Sequence, residues 1–188
     1  MSRLTQEQIN KVVSLYNNGQ FQEAINLIKI LNNDYPNVPL LFNILGACHK
    51  SLDQIDTALK MFETASSIKP DYAEAYFNQG VIHQESGAKN KSIELYNKAI
   101  KIQPNNPLTY NNLGIVYRSI GQIDNSIESF EWAIAYKNDF SEAYNNLGAC
   151  FQDTNQFEKA IDCYKDAIKY KSDFKYKSDS IGFYKKIK

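Results

Sequence analysis

Written in rows of 34 residues from Thr5, the sequence falls into five rows whose columns agree without a gap: 5–38, 39–72, 73–106, 107–140 and 141–174. Column 8 reads Val12, Gly46, Gly80, Gly114, Gly148, and column 20 reads Ala24, Ala58, Ser92, Ser126, Ala160. Column 24 carries Ile28, Phe62, Tyr96, Phe130, Tyr164, and column 27 carries Leu31, Ala65, Ala99, Ala133, Ala167. A period of this length marks one supersecondary unit per row, too small to bury its apolar face alone, so the rows must stack.

Each row divides at column 15, which holds Gly19, Asp53, Gly87, Gly121 and Asn155, residue types that tolerate the left-handed conformation ending a helix. Pro36, Pro70 and Pro104 at column 32, followed by Asn138 and Ser172, mark the expected end of a second helix. Each row therefore reads as a helical hairpin. Small residues at columns 8, 20 and 27 let the two helices approach, and large ones at columns 4, 11 and 24 fill the remaining space. Leu4, Thr5, Gln8 and Ile9 fit a capping box with a hydrophobic staple, which starts the first helix near Thr5 after a lead-in of residues 1–4. Residues 175–188 place Tyr176, Phe183, Tyr184 and Ile187 on one stripe and read as a capping helix with a solvated lysine-rich face.

The succession of aromatic, Leu-Gly, aromatic, Ala, aromatic, Ala and Pro, as in "YNNLGIVY" and "KAIDCYKDAIKY", resembles the tetratricopeptide repeat over residues 5–174. The resemblance implies an all-α fold, a right-handed α-solenoid of antiparallel helix pairs with one repeat per row. It further implies that the first helices line a concave groove where protein partners bind.

Composition narrows the partner. Lysine plus arginine equals aspartate plus glutamate at 21 each, so no net field draws the chain to nucleic acid or an anionic membrane. No apolar run approaches the ~18 residues of a membrane span, and "MSRLTQEQIN" lacks a secretory signal, so a cytoplasmic location is expected. Three widely spaced cysteines do not form a disulfide framework.

Successive helical residues turn by about 100°, so centring on column 4 brings columns 7, 8 and 11 within roughly 60° as the core side. Columns 2, 6, 9 and 13 fall opposite. Column 6 reads Asn10, Ile44, Asn78, Asn112, Asn146; column 9 reads Val13, Ala47, Val81, Ile115, Ala149; column 5, at the rim, reads Ile9, Asn43, Phe77, Asn111, Asn145. Amides beside apolar side chains suit an extended peptide: each asparagine offers a donor and an acceptor to the backbone, while the apolar row receives alternate side chains. Column 6 is similar to the asparagine ladder in the tetratricopeptide region of O-linked N-acetylglucosamine transferase, with Ile44 as the interruption. Duplication of an asparagine-rich unit is the competing explanation, and the residues leave both open. On the binding reading, truncating Asn78, Asn112 and Asn146 weakens binding and spares stability.

Lys50 and Arg118 at column 12 are the basic groove candidates, whereas Glu74, Glu85, Glu142 and Asp153 are acidic, which favours a neutral or basic peptide over an acidic one. His49 and His83 at column 11 and the Cys150–Cys163 pair read as packing, with no cofactor or metal implied. The Walker, Rossmann and HExxH patterns are missing from the sequence. The expectation is a non-catalytic interaction module, a scaffold or adaptor. The alternative is a substrate-recruiting segment of, or partner to, a glycosyltransferase, sulfotransferase or methyltransferase. Self-association through an end of the stack is a further possibility.

Overall fold

A computed structural model of the chain describes residues 4–171, which contain ten α-helices and, among the described residues, no strand. The expected capping helix at 175–188 lies outside the described residues. The chain divides into two compact units on either side of the Ile102–Gln103 bond. The first contains α1 (Gln6–Asn17), α2 (Phe21–Asp34), α3 (Pro39–Ser51), α4 (Ile55–Ile68), α5 (Ala73–Glu85) and α6 (Lys89–Ile102). The second contains α7 (Pro107–Ser119), α8 (Ile123–Tyr136), α9 (Ser141–Asp153) and α10 (Phe157–Lys169). Within each unit, each helix packs on the next described one wherever a hairpin or a repeat junction joins them, as α3 does on α4 and α8 on α9. The first helices of neighbouring repeats also touch, α1 on α3 and α3 on α5 in one unit, α7 on α9 in the other.

The hairpin turns follow from column 15. Gly19, Asp53, Gly87, Gly121 and Asn155 have φ of 74°, 57°, 79°, 78° and 58°, the left-handed region in which a Cβ crowds the following carbonyl. At the start of α1, Thr5 caps Gln8 N–H at 3.2 Å, while the Thr5 N–H donates to Gln8 Oε1 at 2.8 Å, completing the capping box. Prolines are not what stops the second helices. α8 ends at Tyr136, the same column as Asp34, Ile68 and Ile102, although Asn138 occupies the proline position. Its C-cap Lys137 is extended, at φ −144° and ψ 92°, and an extended residue ends a helix without any ring clash.

Column 8 is glycine because column 24 is a ring. A Cβ on Gly46 would stand 2.6 Å from Phe62, one on Gly80 2.6 Å from Tyr96, and one on Gly114 2.7 Å from Phe130. In the first repeat Val12 replaces the glycine and Ile28 replaces the ring, and both are fully buried. The pair is exchanged together, as volume conservation in a close-packed core requires.

The core is rotated from the side the sequence suggests. Columns 7 and 8 are buried from the second repeat onward, but column 4 is half-buried, as is column 11 apart from Phe151. The deepest positions of the first helices include column 3, with Leu41, Ala75, Thr109 and Ala143, and column 10, with Cys48, Ile82, Val116 and Cys150. Large rings at column 4 outsize the space that covers them, whereas small side chains at column 3 are sealed completely. Residue size, used to centre the helical wheel, pointed to the rim of the interface instead of its middle.

Candidate functional site

The face offered by the first helices is built by contacts that step 35 residues, one repeat plus one position. In the first unit Asn78 Nδ2 donates to Asn43 Oδ1 at 3.0 Å, and Lys50 Nζ bonds Glu85 Oε1 at 2.8 Å. In the second, Asn146 Nδ2 donates to Asn111 Oδ1 at 3.0 Å, and Arg118 Nε bonds Asp153 Oδ2 at 2.7 Å. Columns 5 and 12 of one repeat thus bond columns 6 and 13 of the next. Seven residues separate the two columns on each helix, two turns, so one stripe carries an amide pair and an ion pair in tandem.

Asn43 and Asn111 of column 5 are part of the inter-repeat joint. Asn111 is 2% exposed, a correction to its expected place at the rim: burial follows from both ends of its amide being engaged, Oδ1 by Asn146 and Nδ2 by Glu142 Oε1 at a long 3.5 Å. Asn43 is half-buried near Tyr72, whose phenol burial and the Glu74 charge push up to about 12 against the lowering influence of the Asn43 amide. Truncating Asn78 or Asn146 would therefore strip a partner from a neighbouring amide, and the expectation that such changes spare stability is corrected accordingly.

The remaining candidates divide by surroundings. Asn78, Phe77 and Val81 line a cleft of about 410 Å³ together with Tyr16, Ala47, Lys50, Ser51 and Phe62. Phe77 leans on Tyr96 with ring centroids 5.9 Å apart. Ile115 is half-buried against the core cluster of Phe130, Leu147 and Phe151. Asn112 and Asn145 are half-buried on α7 and α9. Asn10 is exposed on α1, accepting from Gln6 Nε2 at 2.9 Å, and among the described residues takes part in no amide pair across repeats.

The 35-residue ion pairs are features of this face that column reading missed. Lys50 with Glu85 and Arg118 with Asp153 are opposite charges one row and one position apart, a signal present in the sequence but invisible to an alignment that compares like columns. Both cations are neutralised, and the Asp153 hydrogen bond holds the Arg118 guanidinium above its ordinary value. Exposed Glu74 and Glu142 remain on the face. Cys48 and Cys150 are fully buried, and burial pushes the Cys48 thiol up to about 11, far from a nucleophilic thiolate at neutral pH. His49 Nδ1 lies 2.6 Å from Gln54 Oε1 across the α3–α4 turn, which places the ring as a turn brace. Among the described residues, no group of three or more His, Cys, Asp or Glu side chains is placed to hold a metal ion.

A stack of helical hairpins with a polar and apolar stripe along its first helices defines an all-α solenoid of the repeat class. The chain is a tetratricopeptide-repeat protein: family models described as "Tetratricopeptide repeat" match residues 41–72, 108–140 and 141–174, and one described as "TPR repeat" matches 85–118. Among solved structures it is similar to MamA, at 23% identity and TM-score 0.76 over 90% of this chain and 96% of that one. It is also similar to YrrB, described as a TPR protein with an unusual peptide-binding site, at 16% identity and TM-score 0.72 over 95% and 90%. The PilF structure from Pseudomonas aeruginosa matches at 13% identity and TM-score 0.86 over 94% and 79%. At such identities the likeness carries the fold alone. Comparison with the sequences of curated proteins finds no match. No helix among the described residues is long and apolar enough to cross a membrane.

Proposed function

We propose that the face of the first helices binds an extended, neutral or basic peptide segment of a partner protein, in a non-catalytic cytoplasmic scaffold or adaptor. The observation that carries the reading is the amide pair beside the apolar cleft. Asn78 spends one N–H on Asn43 and keeps its carbonyl and second N–H, the complement of one peptide unit. Ala47, Phe77 and Val81 beside it offer an apolar seat for a neighbouring side chain. Asn146 repeats the amide pair in the second unit. Column 6 here is similar to the asparagine ladder of O-linked N-acetylglucosamine transferase, and YrrB is a structural neighbour described as binding peptide. With Lys50 and Arg118 occupied, Glu74 and Glu142 leave the face short of free positive charge, which disfavours an acidic ligand.

Selection from a random peptide display library tests the reading. Enriched peptides should be poor in acidic residues and carry an apolar position, and Val81→Asp should weaken their binding by about tenfold or more without unfolding the protein. Enriched peptides that bind Val81→Asp as tightly as the parent would place the site elsewhere.

A further inference from the structure

The second unit carries an aromatic surface that the peptide-binding face does not use. Trp132 and Tyr136 of α8 are 47% and 41% exposed. Both stack on Tyr110 of α7, with ring centroids 6.3 and 5.6 Å away and interplanar angles of 30° and 25°. Between themselves Trp132 and Tyr136 stand 5.8 Å apart at 23°. Three nearly parallel rings make a rigid platform with π surface left in water, the residue types that dominate binding energy at interfaces.

Charge says what such a platform fits. Asp124, Glu128 and Glu131 of α8 are exposed and make no ion pair among the described residues. At about 100° per residue they occupy a ~60° stripe, and Trp132 and Tyr136 begin some 40° further round the helix. α8 contains no lysine or arginine, whereas each of the other second helices contains at least one lysine. One repeat earlier, at the positions corresponding to Trp132 and Tyr110, Lys98 places its ammonium 5.9 Å from the centre of the Tyr76 ring. The chain thus supplies its own cation to this tyrosine position in the third repeat and a larger ring in the fourth.

We propose that the Tyr110–Trp132–Tyr136 stack, flanked by the carboxylates of α8, docks a lysine- or arginine-bearing segment of a partner protein. The cation sits on the rings, where the π quadrupole attracts it, and neighbouring basic side chains meet the carboxylates. This surface is separate from the amide stripe and holds whether or not that stripe binds peptide.

Trp132 is the single tryptophan of the chain, so its emission reports from the site alone. The 188-residue chain is titrated with the peptide acetyl-GRGKGRGKG-amide and with its glutamine counterpart. The proposal predicts a saturable emission change with the basic peptide, weakened by salt, and none at the same concentrations with the neutral one. Glu128→Gln with Glu131→Gln should weaken binding about fivefold, and Glu7→Gln with Glu23→Gln on α1 and α2, equally a loss of two exposed acids, should not. Trp132→Leu, followed by anisotropy of labelled peptide, should weaken it about tenfold while the helical circular dichroism is kept. Equal response to both peptides, or unchanged affinity in the double variant, overturns the proposal. So does an emission change that follows protein concentration without peptide and comes with a doubled mass, since it assigns the rings to a second copy of the chain.

Discussion

Asn146 donates to a carbonyl otherwise sealed from water, so Asn146→Ala strands Asn111 Oδ1 and should cost about 1–3 kcal/mol. Asn145→Ala, one residue earlier, removes a half-buried amide with no hydrogen bond among the described residues, and should change stability by no more than ~0.5 kcal/mol. Urea unfolding of the two variants separates them, and equal losses would contradict the structural role given to the pair. Glu94 is a second case in which neighbours decide. Lys91 at 2.8 Å and Lys98 at 3.0 Å hold its carboxyl down to about 2, against an ordinary 4.5. A depressed carboxylate stabilises the fold at pH above 4.5, and its contribution fades as pH falls toward 2. Melting temperatures of wild type and Glu94→Gln should therefore differ at neutral pH and converge near pH 2, and a constant difference would contradict the assignment. The effect is modest, since the site is open to solvent and screened.

Within the hairpin, the unit of design is the column 8 and column 24 pair. Gly46→Val alone drives side-chain atoms into the Phe62 ring and should cost about 1–3 kcal/mol. Adding Phe62→Ile installs the combination already present as Val12 and Ile28, and should recover much of that loss. A double-mutant cycle by denaturant unfolding reads the coupling, and additive losses would contradict it. The small and the large column were each legible in the sequence, because each can be read alone, whereas their meeting is shown by the Cβ distances. The turn residues were legible for the same reason: positive φ restricts the residue types at one position irrespective of neighbours. The rotation of the first helices was not. Size and periodicity identify an apolar side, but which small residue lies deepest depends on the helix that covers it, and that helix comes from the preceding repeat.

Across the molecule, equal numbers of acidic and basic residues conceal a local arrangement. Lys50 and Arg118 each meet a carboxylate one repeat on, α6 carries four lysines against Glu94, and α8 carries three carboxylates with no cation. The asparagines were identifiable as facing the first-helix surface, but their division into inner and outer members of inter-repeat pairs was not. That division depends on a one-position offset between stacked repeats, visible only when Asn43 meets Asn78 and Asn111 meets Asn146. The offset lets each pair bind neighbouring repeats together, and on the proposed function the remaining amide edge is what meets the peptide. The peptide selected by display should therefore act on the outer member of each pair. Heteronuclear NMR of the side-chain amide groups, recorded during titration with that peptide, tests this most directly. The account predicts that the Asn78 and Asn146 NH2 resonances shift with the bound fraction and retain their inter-repeat hydrogen bonds. Saturated peptide binding with both pairs of resonances unmoved would contradict it.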